Sequence, residues 1–331
     1  MHNVGLVLHP RRDSADAVTA VLDWAANRGI GVLGIDAEIR RLRCAAVAVT
    51  AEELGRRADL VVSLGGDGTM LRAMRLADRQ RAPVLGVNLG KLGFLAEVDV
   101  PDLPDALSAI DSHDFTIEPR LAVDAVIGEQ IATAFNDVAV VRFPGAASAV
   151  IAVRVAGHPF VSYAADAVVV ATPTGSTAYS FSAGGPIVSP AVEALLVTPA
   201  APHSAYNRGL VLSVDDTLAL DILPASGPLA VEADGAVIAQ VSGGDRIDLR
   251  PRAGAARVIR LGRTTFYQRA RRKLRVTDSA EIPAGLPDVA MLTGPEPGDG
   301  AGDSAGGAGD SAGGAAGDQV GEAAGPVGGG A

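Results

Sequence analysis

One carboxylate set among glycines, Gly65-Gly66-Asp67-Gly68-Thr69, holds the densest chemistry in the chain. An apolar run at 60–64 leads into it, and Leu71, Met74 and Leu76 follow at helical spacing. The carboxylate therefore sits between the end of a buried strand and the start of a helix. Glycines there let the backbone turn tightly and approach a ligand closely. The N–H groups of a helix start favour anions, so phosphate binding follows from the pattern. A carboxylate would repel that phosphate unless a metal ion or a hydroxyl lay between them. The combination points to phosphoryl transfer, with Asp67 taking the proton of an attacking hydroxyl. A Gly-Gly-Asp-Gly cluster is also a common plain turn between strand and helix, and both readings stand on this stretch alone.

Three further stretches interrupt apolar segments with polar chemistry. In Asn88-Leu89-Gly90-Lys91-Leu92-Gly93-Phe94, Lys91 could meet a phosphate or be an ordinary solvated lysine. Asn136-Asp137 breaks an apolar run at 131–141. Side chains alternate along a strand, so the two cannot both face one core; either one faces a ligand or the pair marks a strand end or bulge. The stretch 172–190, TPTGSTAYSFSAGGPIVSP, carries seven Ser or Thr hydroxyls, three glycines and three prolines. Small hydroxyls and exposed N–H groups suit phosphate and ribose oxygens, and Tyr179 could stack on a base. Arg269 to Arg275, RARRKLR, reads as a solvated helix face near the end of the folded part rather than a nucleic-acid patch, with pairing to the acidic tail as a further option. The five histidines lack metal-ligand spacing, no nucleophilic triad is evident, and the sequence names no metal ligands.

The elements that must position these residues come in two styles. Strands at 3–9, 31–35, 60–64 and 83–87 alternate with helices after Ser14, at 51–57, after Asp67 and around Leu103, Leu107 and Ile110. That alternation predicts an α/β fold: an N-terminal parallel α/β domain at 1–115, with ligands beyond the carboxyl ends of its strands. From 116 to 277 short β-prone runs predict a mostly β second domain, with a C-terminal part that could pack back on the first. Runs at 121–127, 131–141, 149–155, 159–163, 167–171, 210–214, 218–223, 229–232, 246–249 and 257–261 are its expected strands. Residues 278–331 are rich in Gly, Ala, Asp and Ser and repeat GDSAGG at Gly302 and Gly309, the composition of a disordered acidic C-terminal tail.

Composition bounds the function. The chain of 331 residues is 48% hydrophobic, enough for a sizeable core. Its net charge of −10 resides in the tail: from Asp278 onward there are nine acidic residues and no Lys or Arg, which leaves a nearly neutral body. Nothing in that balance suggests a nucleic-acid partner. Cys44 alone gives no disulfide framework, no run reaches membrane-span length, and the first residues lack a signal-peptide layout, so a cytoplasmic setting without membrane insertion is expected.

Gly65 to Ala73 (GGDGTMLRA), Asn88 to Leu95 (NLGKLGFL), Phe135 to Val140 (FNDVAV) and Thr172 to Pro190 together resemble the motifs of the bacterial NAD kinases, in the same order. The resemblance covers about 3–267. It implies phosphorylation of the adenosine-ribose 2′-hydroxyl of NAD to NADP, with Asp67 as the base. It implies that Gly68 and Arg72 help to hold the dinucleotide. Asn136 and Asp137 would bind nucleoside groups, and Asp166 the nicotinamide end. Thr177, Ala178, Tyr179, Ser180, Phe181 and Ser182 would line the pocket. Gly65, Gly66, Gly68 and Thr69 form the phosphate loop of the bottom-up reading. The donor would be ATP or polyphosphate with Mg²⁺ or Mn²⁺, and the chain a homo-oligomer, dimer or tetramer. The pattern is departed from at Ala164, Ala165, Ala167, Ala236 and Gly209, which touches the dinucleotide pocket rather than the chemical step. Two other classes fit parts of the pattern: a kinase of the same superfamily acting on another hydroxyl, such as a lipid's, and a non-catalytic dinucleotide-binding sensor.

Overall fold

The computed structural model describes residues 1–90, 93–204 and 206–277; Lys91 and the tail for which the sequence predicts disorder lie outside the described residues. Strands and helices alternate from the start: β1 (Asn3–Leu8), α1 (Ala15–Ala26), β2 (Gly31–Ile35), α2 (Asp36–Leu42), β3 (Val47–Val49), α3 (Ala51–Arg57), β4 (Leu60–Gly65), α4 (Asp67–Ala77), β5 (Pro83–Asn88), β6 (Val98–Asp99) and α5 (Leu103–Ser112). The sequence reading did not include α2 and β3. Helix α2 buries only Glu38 and Ile39, and β3 is a mostly exposed edge strand, so neither writes a clear period into the sequence. Ser14 does precede α1, but its buried hydroxyl caps nothing. The Asp13 carboxylate accepts from Ala15 N–H at 3.0 Å instead.

The remainder is mostly strand: β7 (Thr116–Ile127), β8 (Gln130–Ala134), β9 (Asp137–Arg142), β10 (Ala149–Val155), β11 (His158–Ala165), β12 (Ala167–Ala171), the short helix α6 (Tyr179–Ser182), β13 (Ala194–Ala200), β14 (Leu210–Ser213), β15 (Leu218–Ile222), β16 (Leu229–Ala233), β17 (Ala236–Val241), β18 (Arg246–Arg260) and α7 (Phe266–Leu274). Two expectations change. The apolar run at 131–141 is two strands, β8 and β9, parted at Phe135-Asn136. The runs at 246–249 and 257–261 are one strand, β18, whose pairing with β7 shifts register between Arg252 and Ala256. Gly254 supplies the positive φ (+58°) inside that irregularity.

A twelve-stranded sheet runs in the order β11-β10-β15-β18-β5-β4-β1-β2-β3, with β7 and β8 laid beside β18 and β6 beside β5. Pairing is parallel among β1 to β6 and antiparallel among β7, β8, β10, β11, β15 and β18, and the two regions meet where β18 pairs parallel with β5. A six-stranded antiparallel sheet, β14-β13-β12-β9-β16-β17, packs over the antiparallel region across a shared apolar core. Strand periodicity sorts the parallel region. Val4, Leu6 and Leu8 face α1 and α5, while Val7 and Val61 face α3 and α4. Gly5 makes the close approach of α3 possible, because a Cβ there would lie 2.8 Å from a Leu54 methyl.

Candidate active site

Strand order creates the opening in which the site lies. From β1 the chain moves to β2 and β3 on one side, then returns to lay β4 and β5 on the other. Helix α1 leaves β1 toward one face of the sheet and α4 leaves β4 toward the opposite face. Their entry loops therefore diverge and leave a crevice at the carboxyl ends of β1 and β4, the place where open α/β sheets bind ligands. His9, Pro10 and Arg12 line it from the first loop; Gly66, Asp67, Gly68, Thr69 and Arg72 line it from the second.

Asp67 is the first residue of α4, with Gly66 at the cap position. Its carboxylate is gripped by a second glycine segment, which follows β5. Phe94 N–H donates to Oδ2 at 3.1 Å and Leu95 N–H to Oδ1 at 3.0 Å. A Cβ on Gly93 would stand 2.2 Å from Oδ1, so a glycine there is a packing requirement. Gly65 has a similar reason, since its Cβ would strike the Thr69 hydroxyl at 2.2 Å. Arg260, from the end of β18, donates to the Leu95 carbonyl at 2.7 Å and supports the segment from behind.

The crevice is cationic. Arg72 donates to the Leu8 carbonyl and pairs with buried Glu38, both at 2.6 Å. Glu38 in turn accepts from Leu8 N–H at 2.7 Å. Arg12 keeps one buried guanidinium nitrogen without a partner among the described residues. His9 accepts from Arg11 N–H and Arg12 N–H through Nδ1, and burial together with Arg12, Arg11, Arg41 and Arg72 holds its pKa below the usual value. His9 and Arg12 escaped the sequence reading. The available signal was their position, directly after a buried strand, in the pattern that also singled out Gly65-Gly66-Asp67.

Asn136 and Asp137 sit at the parting of β8 and β9, shaped by a residue outside the candidate set. Asp234, in the turn between β16 and β17 with φ +47°, accepts from Phe135 N–H at 3.0 Å and Asn136 N–H at 2.7 Å. Its other oxygen pairs with Arg75 of α4 at 2.6 Å. The helix that begins with Asp67 is thus fastened to the Asn136-Asp137 turn. Asp137 is buried, and its pKa is raised to about 7 by burial and by Asp234, against the Tyr179 N–H that bonds it.

The stretch 172–190 folds against the same turn. A Cβ on Gly175 would lie 1.9 Å from the Asn136 carbonyl oxygen, and Thr172 N–H donates to that carbonyl at 2.9 Å. Most of its hydroxyls face inward and hold the segment together. Thr174 accepts from buried Arg120 at 3.1 Å, Ser176 accepts from Val188 N–H at 3.0 Å, and Ser180 bonds Thr198 at 3.0 Å. Burial, chiefly, brings the Arg120 pKa down to about 10, leaving it charged at neutral pH. Where the sequence led us to expect hydroxyls that meet ligand oxygens, Thr172, Thr174, Ser176 and Ser180 are buried and hydrogen-bonded within the protein. Thr177, Ala178 and Tyr179 are half-buried, and Phe181 and Ser182 are exposed. Asp166 pairs with Arg142 beside this segment. Ala165 and Ala167 are buried core positions, and Ala236 is exposed in β17.

Residues 4–115 match the model of the ATP-NAD kinase N-terminal domain, and residues 135–261 match that of the ATP-NAD kinase C-terminal domain. The chain belongs to the ATP-NAD kinase family. As a kinase of this family it phosphorylates NAD to NADP. NAD kinase 1 of Streptomyces avermitilis is 39% identical over 324 residues, spanning 86% of this chain and 89% of that protein. The NAD kinase of Desulforamulus reducens is 38% identical over 283 residues, spanning 83% and 98%. Among solved structures, yeast NADH kinase complexed with NADH superposes with a TM-score of 0.73 at 26% identity, covering 83% of this chain and 87% of that one. An NAD kinase from Archaeoglobus fulgidus in complex with ATP shares the fold, with a TM-score of 0.65 at 24% identity over 82% of this chain and 98% of that one.

Proposed function

We propose that Asp67 is the general base for transfer of a phosphoryl group from ATP or polyphosphate to the adenosine-ribose 2′-hydroxyl of NAD. The 2′ O–H bond breaks and its proton passes to the Asp67 carboxylate. The new bond joins the 2′ oxygen to the terminal phosphorus of the donor as the bond to the bridging oxygen breaks, and that electron pair leaves with ADP or the shortened polyphosphate. Phosphoryl transfer asks mainly for positioning and charge neutralisation, so one carboxylate among cations and N–H donors suffices. The observation that carries this reading is the placement of Asp67 in a crevice walled by the start of α4, Arg72 and the partly unpartnered guanidinium of Arg12. That wall suits the donor phosphates, together with Gly65, Gly66, Gly68 and Thr69.

NAD occupies the side of Asp67 toward Asn136, Asp137, Tyr179 and Asp166 in this reading, with Thr177, Ala178, Phe181 and Ser182 at its edge and the Ser180 backbone beneath. Arg72, engaged by Glu38, belongs to the donor side. Among the described residues no group of three or more His, Cys, Asp or Glu side chains converges to hold a metal ion. A resident metal cage does not fit these residues. The divalent ion, Mg²⁺ or Mn²⁺, enters as part of the metal–ATP substrate, since such ions are commonly carried by phosphates with few protein ligands. No helix among the described residues is long and apolar enough to cross a membrane. A cytoplasmic homo-oligomer belongs to the same proposal; exposed Phe160 and Tyr206, edge to face at 6.3 Å, and exposed Val211 are apolar surface available to a second copy.

The test is NADP formation by the purified protein with NAD, Mg²⁺ and either ATP or polyphosphate, alongside Asp67→Asn. The parent makes NADP and the variant loses at least about 100-fold in kcat while still binding NAD. A variant that phosphorylates NAD at the parent rate removes Asp67 from the role of base.

A further inference from the structure

The basic stretch near the C-terminal end of the described residues does not form a solvated face throughout. Helix α7 opens with a capping box in which Thr265 accepts from Gln268 N–H at 3.2 Å and Gln268 accepts from Thr265 N–H at 2.8 Å. Arg269 is almost fully buried and donates to the Thr264 carbonyl at 2.6 Å. The Glu97 carboxylate accepts from Leu261 N–H and Arg263 N–H, fixing the loop that launches the helix. Phe266 packs near Phe94, with ring centres 6.5 Å apart. In its last turn, this anchored helix delivers Lys273 to the active site. The ammonium lies 2.7 Å from Asp67 Oδ2 and 4.4 Å from the centre of the Phe94 ring.

We infer that Lys273 is a positioning residue for phosphoryl transfer, acting through Asp67. The inference rests on the reading of Asp67 as the base. Two backbone N–H groups and one ammonium hold the carboxylate in a single orientation, with its charge compensated before substrate arrives. Side chains of Lys273 and Asp67 are 34% and 26% exposed, so the pair is neither fully solvated nor sealed, and both can respond to a ligand. When the 2′ O–H proton passes to Asp67, the carboxylate loses its charge and the ammonium is released from its partner. This happens as the donor's phosphoryl charge is delivered to the neighbouring 2′ oxygen. The ion pair thereby keeps the carboxylate aligned for the proton until the moment of transfer, when its own loss of charge releases the ammonium. The Phe94 ring face, attractive to a cation, keeps the ammonium near the site once the ion pair is relaxed.

The test compares Lys273→Met, Lys273→Arg and Asp67→Asn in the full chain, with kcat and KM for both NAD and ATP measured. For Lys273→Met, kcat falls roughly 10- to 100-fold, the effect of losing one charge-assisted hydrogen bond, with both KM values within about 2-fold. Lys273→Arg restores most of the loss. Parental kcat in Lys273→Met, with Asp67→Asn inactive, overturns the inference and leaves the base reading standing. A rise in KM at unchanged kcat also overturns it, because Lys273 would then bind substrate directly. Asp67→Asn at the parent rate defeats the base reading itself. Should Lys273→Met fail to fold, Lys273→Gln removes the charge while keeping a polar side chain and serves the same comparison.

Discussion

Asp137 shows how one residue's surroundings set its chemistry. Burial at the head of β9, with Asp234 and Glu232 nearby, raises its pKa to about 7 from an ordinary carboxyl value of 3.8. Between those two pH values the unfolded chain has released the proton and the folded chain still holds it. Stability contributed by this group is therefore full below about pH 4 and is lost as pH rises toward 7. We expect Asp137→Asn to abolish that component, so that its melting temperature declines less from pH 5 to pH 7 than the parent's. Parallel melting curves for the two proteins across that range would show that Asp137 titrates normally in the fold. Near neutral pH Asp137 is divided between donor and acceptor forms, which suits its proposed place beside a nucleoside whose edges offer both.

At the scale of elements, α4 is the link between the two sides of the proposed site. Asp67 stands at its first position and Arg75 eight residues later, about 12 Å along the axis at 1.5 Å per residue. Arg75 reaches Asp234, and Asp234 holds the turn that carries Asn136 and Asp137. The Asp234 side chain is 1% exposed, whereas Arg75 is 36% exposed. Its removal would leave the backbone N–H groups of Phe135, Asn136 and Asp137 without this acceptor, while water replaces much of what Arg75 loses. Asp234→Ala is expected to lower unfolding free energy by about 3 kcal/mol and to raise KM for NAD more than KM for ATP. Urea unfolding and steady-state kinetics check both; equal rises in the two KM values would show that α4 does not divide the site in this way. Asp234 was not among the residues that the sequence singled out. Its work became visible with the positive φ that turns its carboxylate back into the sheet.

At the scale of the whole molecule, the last described helix completes the first crevice. Strand β18 returns the chain to β5, and α7 then carries Lys273 to Asp67, 206 residues earlier in sequence. A chain cut after Thr277 keeps this arrangement and is expected to retain parental kcat. A chain cut after Thr264 loses α7, with Lys273 and the cover over Phe94, and is expected to lose turnover by at least about 10-fold. Activity measurements on the two truncations, normalised to folded protein, check the pair; a large loss in the first would assign a role to residues 278–331.

The sequence by itself determined the reaction class, the candidate base and the main alternation of strands and helices in the first domain. Glycines beside Asp67 and Gly93 are local requirements, and a buried strand followed by a helix is a local period, so both are written in neighbouring residues. Tertiary structure alone decided the rest. Strand order opened the crevice between β1 and β4 and gave His9 and Arg12 their place beside Asp67. Packing turned Thr174, Ser176 and Ser180 inward, although their hydroxyls look free in a list of residues. It joined two apolar runs into β18 and divided another at Asn136. It also brought Lys273 to a carboxylate with which the sequence gives it no connection. Contacts between distant segments depend on which surfaces exclude water together, and no period or spacing within one segment carries that information.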